Sequence, residues 1–163
     1  MRREYLNRLV WPSLIILIFF IVDRLLKNLF LEKLASERFY FFGEWIGFAL
    51  QKNEGISYSI PMTNWLIVPI TFIIILVLIF ITIRIVKKNE WNYLSPLLLI
   101  IVGAFSNFID RLIHGFVIDM VMIGKWLTFN IADVMIIVGA IWLILVYFKK
   151  HNLTKQKNID SLN

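Results

Sequence analysis

Cysteine is absent from this chain, and histidine occurs only twice, at His114 and His151. No disulfide framework, thiol nucleophile or thiolate metal site is therefore available. Two distant histidines give no basis for a zinc centre, so neither a metal nor a cofactor is expected. Charge is sparse as well. Only 17% of the 163 residues are Asp, Glu, Lys or Arg, 60% are hydrophobic, and the mean hydropathy is +0.77. Soluble domains hold roughly 45–50% apolar residues. The composition points to an integral membrane protein, and the length suits one ordinary domain. There is no internal repeat and no sign of a soluble second domain.

Long uncharged runs fill the chain instead. Leu9 to Val22 is followed, after Asp23-Arg24, by apolar sequence through Leu31, which together is long enough to span a bilayer. With Arg2, Arg3 and Arg8 ahead of it, this stretch imitates a secretory signal, but no small-residue cleavage pattern follows. Pro12 falls near the start, where a helix tolerates it. The pattern predicts spans over about 9–31, 65–83, 93–111 and 131–148. Arg84, Lys87, Lys88 and Glu90 make a short basic loop between the second and third.

Residues 32–62 are too polar to span, and they carry Phe39, Tyr40, Phe41, Phe42, Trp45 and Phe48. Trp and Tyr favour the membrane interface. Ile56-Ser57-Tyr58-Ser59-Ile60 alternates like a half-exposed strand, and Gly43, Gly47 and Gly55 suggest turns. A small extracytoplasmic β-rich cradle is predicted over about 36–62. Residues 112–129, with Gly115 and Gly124, read as a loop with a short surface helix. The expected fold class is an all-α membrane protein: four transmembrane helices plus that cradle. Residues 1–150 would form a single integral domain, and 151–163 a flexible polar cytoplasmic tail.

An even number of helices puts both termini on one side. That side carries ten Lys and Arg against three acids, whereas the remainder has seven against eight. The positive-inside rule then places the termini in the cytoplasm. The net charge of +6 is thus a topology signal, and no nucleic-acid partner is expected. In this orientation Asp23, Lys27, Asn53, Asn107, Asp110, Arg111, Asp119, Asn130 and Asp133 all fall in one layer near the outer interface. Asp23 and Lys27 are spaced i,i+4 and able to pair. Asn107 and Arg111 share a face in the same way, and Asn130 and Asp133 are i,i+3. Charge facing lipid is costly, so these faces should point into the bundle.

Two carboxylates held close together cannot both ionise comfortably, and such a pair can share one proton. The ionised member can take a proton from an attacking water while the other donates one. This machinery needs no metal and no nucleophilic side chain. Four aspartates lie in the layer. Asp23 has Lys27 as a local salt partner, and Asp110 is followed by Arg111, although adjacent helix residues do not face each other. Asp119 and Asp133 lack an obvious local cation, which makes them the preferred pair.

Five segments carry a resemblance to a known family. They are Asp23-Arg24-Leu25-Leu26-Lys27, Asn53-Glu54-Gly55-Ile56-Ser57-Tyr58-Ser59, Ser106-Asn107-Phe108-Ile109-Asp110-Arg111, Val117-Ile118-Asp119-Met120 and Phe129-Asn130-Ile131-Ala132-Asp133. In this order they resemble lipoprotein signal peptidase, or signal peptidase II, over roughly residues 9–148. The resemblance implies a catalytic dyad of Asp119 and Asp133. It implies supporting roles for Asp23, Lys27, Asn53, Gly55, Asn107, Asp110, Arg111 and Asn130. The implied substrate is a prolipoprotein with a diacylglyceryl-modified lipobox Cys, cut on the amino side of that Cys. The implied setting is the bacterial cytoplasmic (inner) membrane, among its lipids, with the chain acting as a monomer. Asn53 and Arg111 are expected to orient the peptide. Ser106, Met120, Leu127 and Val134 depart from the residues usual in the family.

Other classes leave distinct marks. Ser106, Asp110 and His114 share a helix face, as a serine hydrolase could require, but the order separates nucleophile from base by two turns. A small proton-coupled transporter would need polar groups continuing across the bilayer, and the second span carries no charge. An inactive membrane homologue would keep the layer without the chemistry.

Overall fold

The computed structural model describes residues 2–41, 45–55, 64–124 and 127–160. Four long helices carry the chain: α1 (Arg2–Glu32), α2 (Asn64–Lys87), α3 (Leu94–His114) and α4 (Ile131–Asp160). Each contains a segment long and apolar enough to cross a membrane. Only helices and closed barrels satisfy their backbone groups within lipid, so runs of this composition have few alternatives. Large apolar side chains remain exposed along all four, among them Ile18 on α1, Ile73 and Phe80 on α2, Phe105 on α3 and Leu145 on α4. In a bilayer these faces meet acyl chains. Pro12 lies inside α1 rather than at its start, because the helix begins as early as Arg2.

α3 is the central helix, packed against α1, α2 and α4. Its approach to α4 depends on missing side chains. A Cβ on Gly103 would lie 2.6 Å from the Ala132 carbonyl oxygen, and one on Gly139 would lie 2.7 Å from Ile100 Cγ1. Lipid supplies no hydrophobic drive for helix association, so close backbone contact of this kind matters more than in water.

Four antiparallel strands stand at one end of the bundle, in the order β1 (Arg38–Phe41), β2 (Ile46–Asn53), β3 (Val117–Ile123) and β4 (Leu127–Phe129). The sheet agrees with the expected cradle but draws half its strands from elsewhere. Val117–Ile123 and Leu127–Phe129 pair as antiparallel strands where a loop and short helix were expected. The physical reason is burial. Val117, Ile118, Asp119 and Met120 are all buried, so the strand lacks the alternation that marks a half-exposed one. Gly47 lies within β2 and not at a turn, under the Tyr40 ring of β1. Gly43 and the alternating Ile56–Ile60 stretch lie outside the described residues.

α4 continues to Asp160, past the predicted end at 148, so residues 151–160 are helical instead of a flexible tail. Gln156 donates to Asp160 four residues on, at 3.1 Å, one of the contacts an exposed polar helix can use.

Candidate active site

The register of β2 on β3 begins the site. Gln51 stands opposite Asp119, and a register irregularity lies between Phe48 and Gln51. Asn53, two residues further along β2, is a diagonal neighbour of Asp119. Its Nδ2 donates to Asp119 Oδ2 at 3.0 Å, while its Oδ1 accepts the Gly55 N–H at 3.1 Å.

The start of α4 supplies the second carboxylate. Asn130 precedes the helix, and its Oδ1 accepts the Asp133 N–H at 2.9 Å. In return Asp133 Oδ2 accepts the Asn130 backbone N–H at 3.2 Å. This reciprocal pair is a capping box, which satisfies two N–H groups the helix leaves open. Capping alone accounts for that much. It does not account for the Asn130 Nδ2, which reaches across to Asp119 Oδ1 at 2.8 Å. One fully buried asparagine thus touches both aspartates. Asn107 of α3 completes the arrangement by donating to Asp133 Oδ1 at 2.7 Å.

Asp119 is fully buried and is held by amide donors, with the Thr128 hydroxyl at 3.4 Å. Burial pushes its carboxyl up to about 6, with the Asp133 charge adding to the rise. The hydrogen bonds from Asn53 and Asn130 oppose that rise because they favour the ionised form. Among the described residues, neither Asp119 nor Asp133 makes a salt bridge, as their lack of a local cation suggested.

The other two aspartates of the layer behave differently. Asp23 and Asp110 are both fully buried and share the Lys27 ammonium, at 3.0 and 2.8 Å. Asp110 is also paired with Arg24. Asp23 Oδ2 accepts the Ser106 hydroxyl at 2.6 Å. That hydroxyl does not serve a nucleophile: His114 instead lies against the Phe116 ring. The structure therefore gives no support to a serine triad.

Arg111 lies beside these groups. It donates from one terminal nitrogen to the Gly55 carbonyl at 2.9 Å, and its buried Nε finds no acceptor among the described residues. The residues expected to converge do so: Asn53, Asn107, Asn130, Asp119 and Asp133 in one group, Asp23, Lys27 and Asp110 in the adjoining one, Gly55 and Arg111 at the edge. Arg24 and Thr128 were not singled out from the sequence. Arg24 could have been, since it interrupts an otherwise uncharged run. Val134, next to Asp133, is 42% exposed and lies outside this set of contacts.

Comparison with known proteins gives a consistent result. The family model described as signal peptidase (SPase) II matches residues 15–149. The chain is 35% identical over 133 residues to a lipoprotein signal peptidase of Sulfurimonas denitrificans, covering 80% of this chain and 82% of that one. It is 28% identical over 161 residues to a lipoprotein signal peptidase of Ectopseudomonas mendocina, covering 92% and 94%. A bacterial membrane enzyme solved by the in meso method superimposes with a TM-score of 0.74 at 23% identity, over 88% of this chain and 90% of that one. At that identity the last likeness speaks for the fold.

Proposed function

This chain belongs to the signal peptidase II family, and we propose that it removes signal peptides from prolipoproteins as an aspartic endopeptidase, with Asp119 and Asp133 as its working pair. One observation carries the choice of residues. Two carboxylates from different elements, β3 and α4, are held by amides instead of cations, and Asn130 contacts both. Such a pair can hold a single proton between its members.

The reaction follows from that proton. The ionised carboxylate takes a proton from water as the water oxygen attacks the scissile carbonyl carbon. The protonated carboxyl gives its proton to the carbonyl oxygen, leaving a neutral tetrahedral diol. Collapse breaks the C–N bond as a carboxyl proton passes to the departing amine, and a diol hydroxyl gives its proton to the ionised carboxylate, which restores the singly protonated pair. The two groups titrate as a pair, so neither is assigned the proton.

The setting fits a lipidated substrate. The site lies where helix ends meet the sheet, so a signal helix and diacylglyceryl chains can stay in lipid while the bond before the modified Cys reaches polar groups. Arg111 Nε, which finds no acceptor among the described residues, would donate to a carbonyl of the bound peptide. Asn53 serves Asp119 first, and peptide binding only through what its amide has left. The site would face outward from a bacterial inner membrane, with both termini cytoplasmic and the chain working as a monomer among lipids.

The test is cleavage of a diacylglyceryl-modified precursor by purified protein. Asp119→Asn and Asp133→Asn should each abolish cleavage while the fold persists. Full cleavage by both variants would end this reading.

A further inference from the structure

Lys27 is a fully buried lysine, and all three of its N–H donors are used. They go to Asp23 Oδ2 at 3.0 Å, Asp110 Oδ2 at 2.8 Å and Asn107 Oδ1 at 2.9 Å. Each partner then leads to the proposed dyad by a separate route. The other oxygen of Asp23 accepts the Ala132 N–H at 3.0 Å, one residue before Asp133. Asp110 Oδ2 accepts the Ile118 N–H at 3.2 Å, one residue before Asp119. Asn107 gives its oxygen to the ammonium, so its NH2 must face Asp133 Oδ1, which it meets at 2.7 Å.

We propose that Lys27 is a positioning residue: through Asp23, Asp110 and Asn107 it fixes the separation and aim of Asp119 and Asp133. This rests on the dyad reading above. The bland alternative is that Lys27 only neutralises two buried acids. Neutralisation would need proximity to Asp23 and Asp110. It would not need the third bond, to Asn107, nor a partner oxygen on the peptide preceding each working aspartate. Two different elements, β3 and α4, are gripped at equivalent places, and one ammonium joins the grips.

The two roles separate experimentally. Lys27→Met removes the charge and all three bonds, and it leaves Asp23 without a cation. Lys27→Met combined with Asp23→Asn removes one positive and one negative charge together. Arg24 and Asp110 stay paired, and an amide oxygen at position 23 can still accept the Ala132 N–H. The double variant should therefore fold, with a melting temperature in lipid or detergent within a few degrees of the wild type. Its kcat should remain lower by about 10²-fold, the scale expected for misplacement by about 1 Å, with KM changed by less than about threefold.

A second readout is the pH profile. The Lys27 charge favours the ionised form of Asp119, so its loss should move the alkaline limb of kcat/KM to higher pH. Arg24, Asp23, Asp110, Arg111 and Asp133 also face this cluster, and all are unchanged in the single variant.

Recovery of wild-type kcat in the double variant would overturn the proposal, as would failure of that variant to fold. Asp119→Asn, run beside it, keeps the two readings apart. If Asp119→Asn cleaves normally, the dyad itself is wrong. If it is inactive while the double variant is fully active, only the role of Lys27 falls.

Discussion

The molecule holds two pairs of aspartates, and they differ in what holds them. Asp23 and Asp110 sit against Lys27 and Arg24. Asp119 and Asp133 sit against the amides of Asn53, Asn107 and Asn130. A cation at contact distance fixes a buried carboxylate in its ionised form. An amide satisfies the carboxylate without fixing its charge, so the group can still gain a proton. The first arrangement suits a permanent strut and the second suits proton transfer. The proposal of Asp119 and Asp133 as the working pair therefore rests on the missing ion pair, not on the buried acid.

The comparison breaks first at the amide-held pair. Asp119→Asn should lower cleavage of the lipidated precursor by at least about 10³-fold, within the range for loss of a positioned acid or base. Its cost to stability should be small, because two effects offset. Folding raises the Asp119 carboxyl to about 6 from 3.8, so the folded chain binds this proton more tightly than the unfolded one. The stabilising effect of that proton is complete below about pH 4 and is lost as pH rises through 6. At pH 7 the ionised group is an expense to the fold, which a neutral amide removes. Against this, one of the amide donors loses an acceptor, at about 1–3 kcal/mol.

The cation-held pair should respond the other way. Asp110→Ala leaves Lys27 and Arg24 without a common acceptor and orphans the Ile118 N–H. Removing one partner of a buried ion pair costs about 3–5 kcal/mol. Thermal unfolding in detergent should show a clear drop, larger than that of Asp119→Asn. Equal drops for the two variants would erase the distinction.

A finer test moves the proton without removing the acid. Asn53 and Asn130 hold the Asp119 carboxyl down from where burial would put it. Asn53→Ala removes one donor, so the carboxyl should rise further. If the pair works with one proton, activity fails when that proton leaves. The alkaline limb of kcat/KM should then begin near pH 6 in the wild type and move up by about one unit in Asn53→Ala. The limb in kcat should lie higher than that in kcat/KM, because bound acyl chains exclude more water. Activity that instead rises with pH through 6, and whose rise moves up in Asn53→Ala, would mean that the working form is fully ionised.

Much of this could be read from the chain before any coordinates. The four spans follow from runs of apolar residues too long for other uses. The gathering of the polar residues at one end of the bundle follows from the alternating direction of the spans, and the absence of a local cation beside Asp119 and Asp133 anticipated how they are held. What stayed hidden depends on contacts between distant segments. β3 is buried on both faces, so Val117 to Met120 carries no alternation, and its pairing with β2 is a tertiary event. Arg24 pairs with Asp110 across two helices, and no local spacing encodes that. The grip of Asp23 on the Ala132 N–H joins residues 109 positions apart. The extension of α4 to Asp160 was missed because Lys149, Lys150 and Lys155 mark the end of a span, and a span can end while its helix continues.

The smallest effect expected lies closest in sequence to the dyad. Val134 adjoins the second aspartate and adds bulk there. On a helix, however, neighbours in sequence point about 100° apart. Asp133 turns toward Asn107 and Asn130, whereas Val134 is 42% exposed and meets Asn130 through its backbone N–H, which donates to the Asn130 carbonyl at 3.4 Å. Val134→Ala should therefore change kcat and KM by less than about twofold, and exposed substitutions of this kind usually alter stability by no more than about 0.5 kcal/mol. A large change in KM alone would place Val134 on the path of the substrate's acyl chains, and would extend the site onto the outer face of α4.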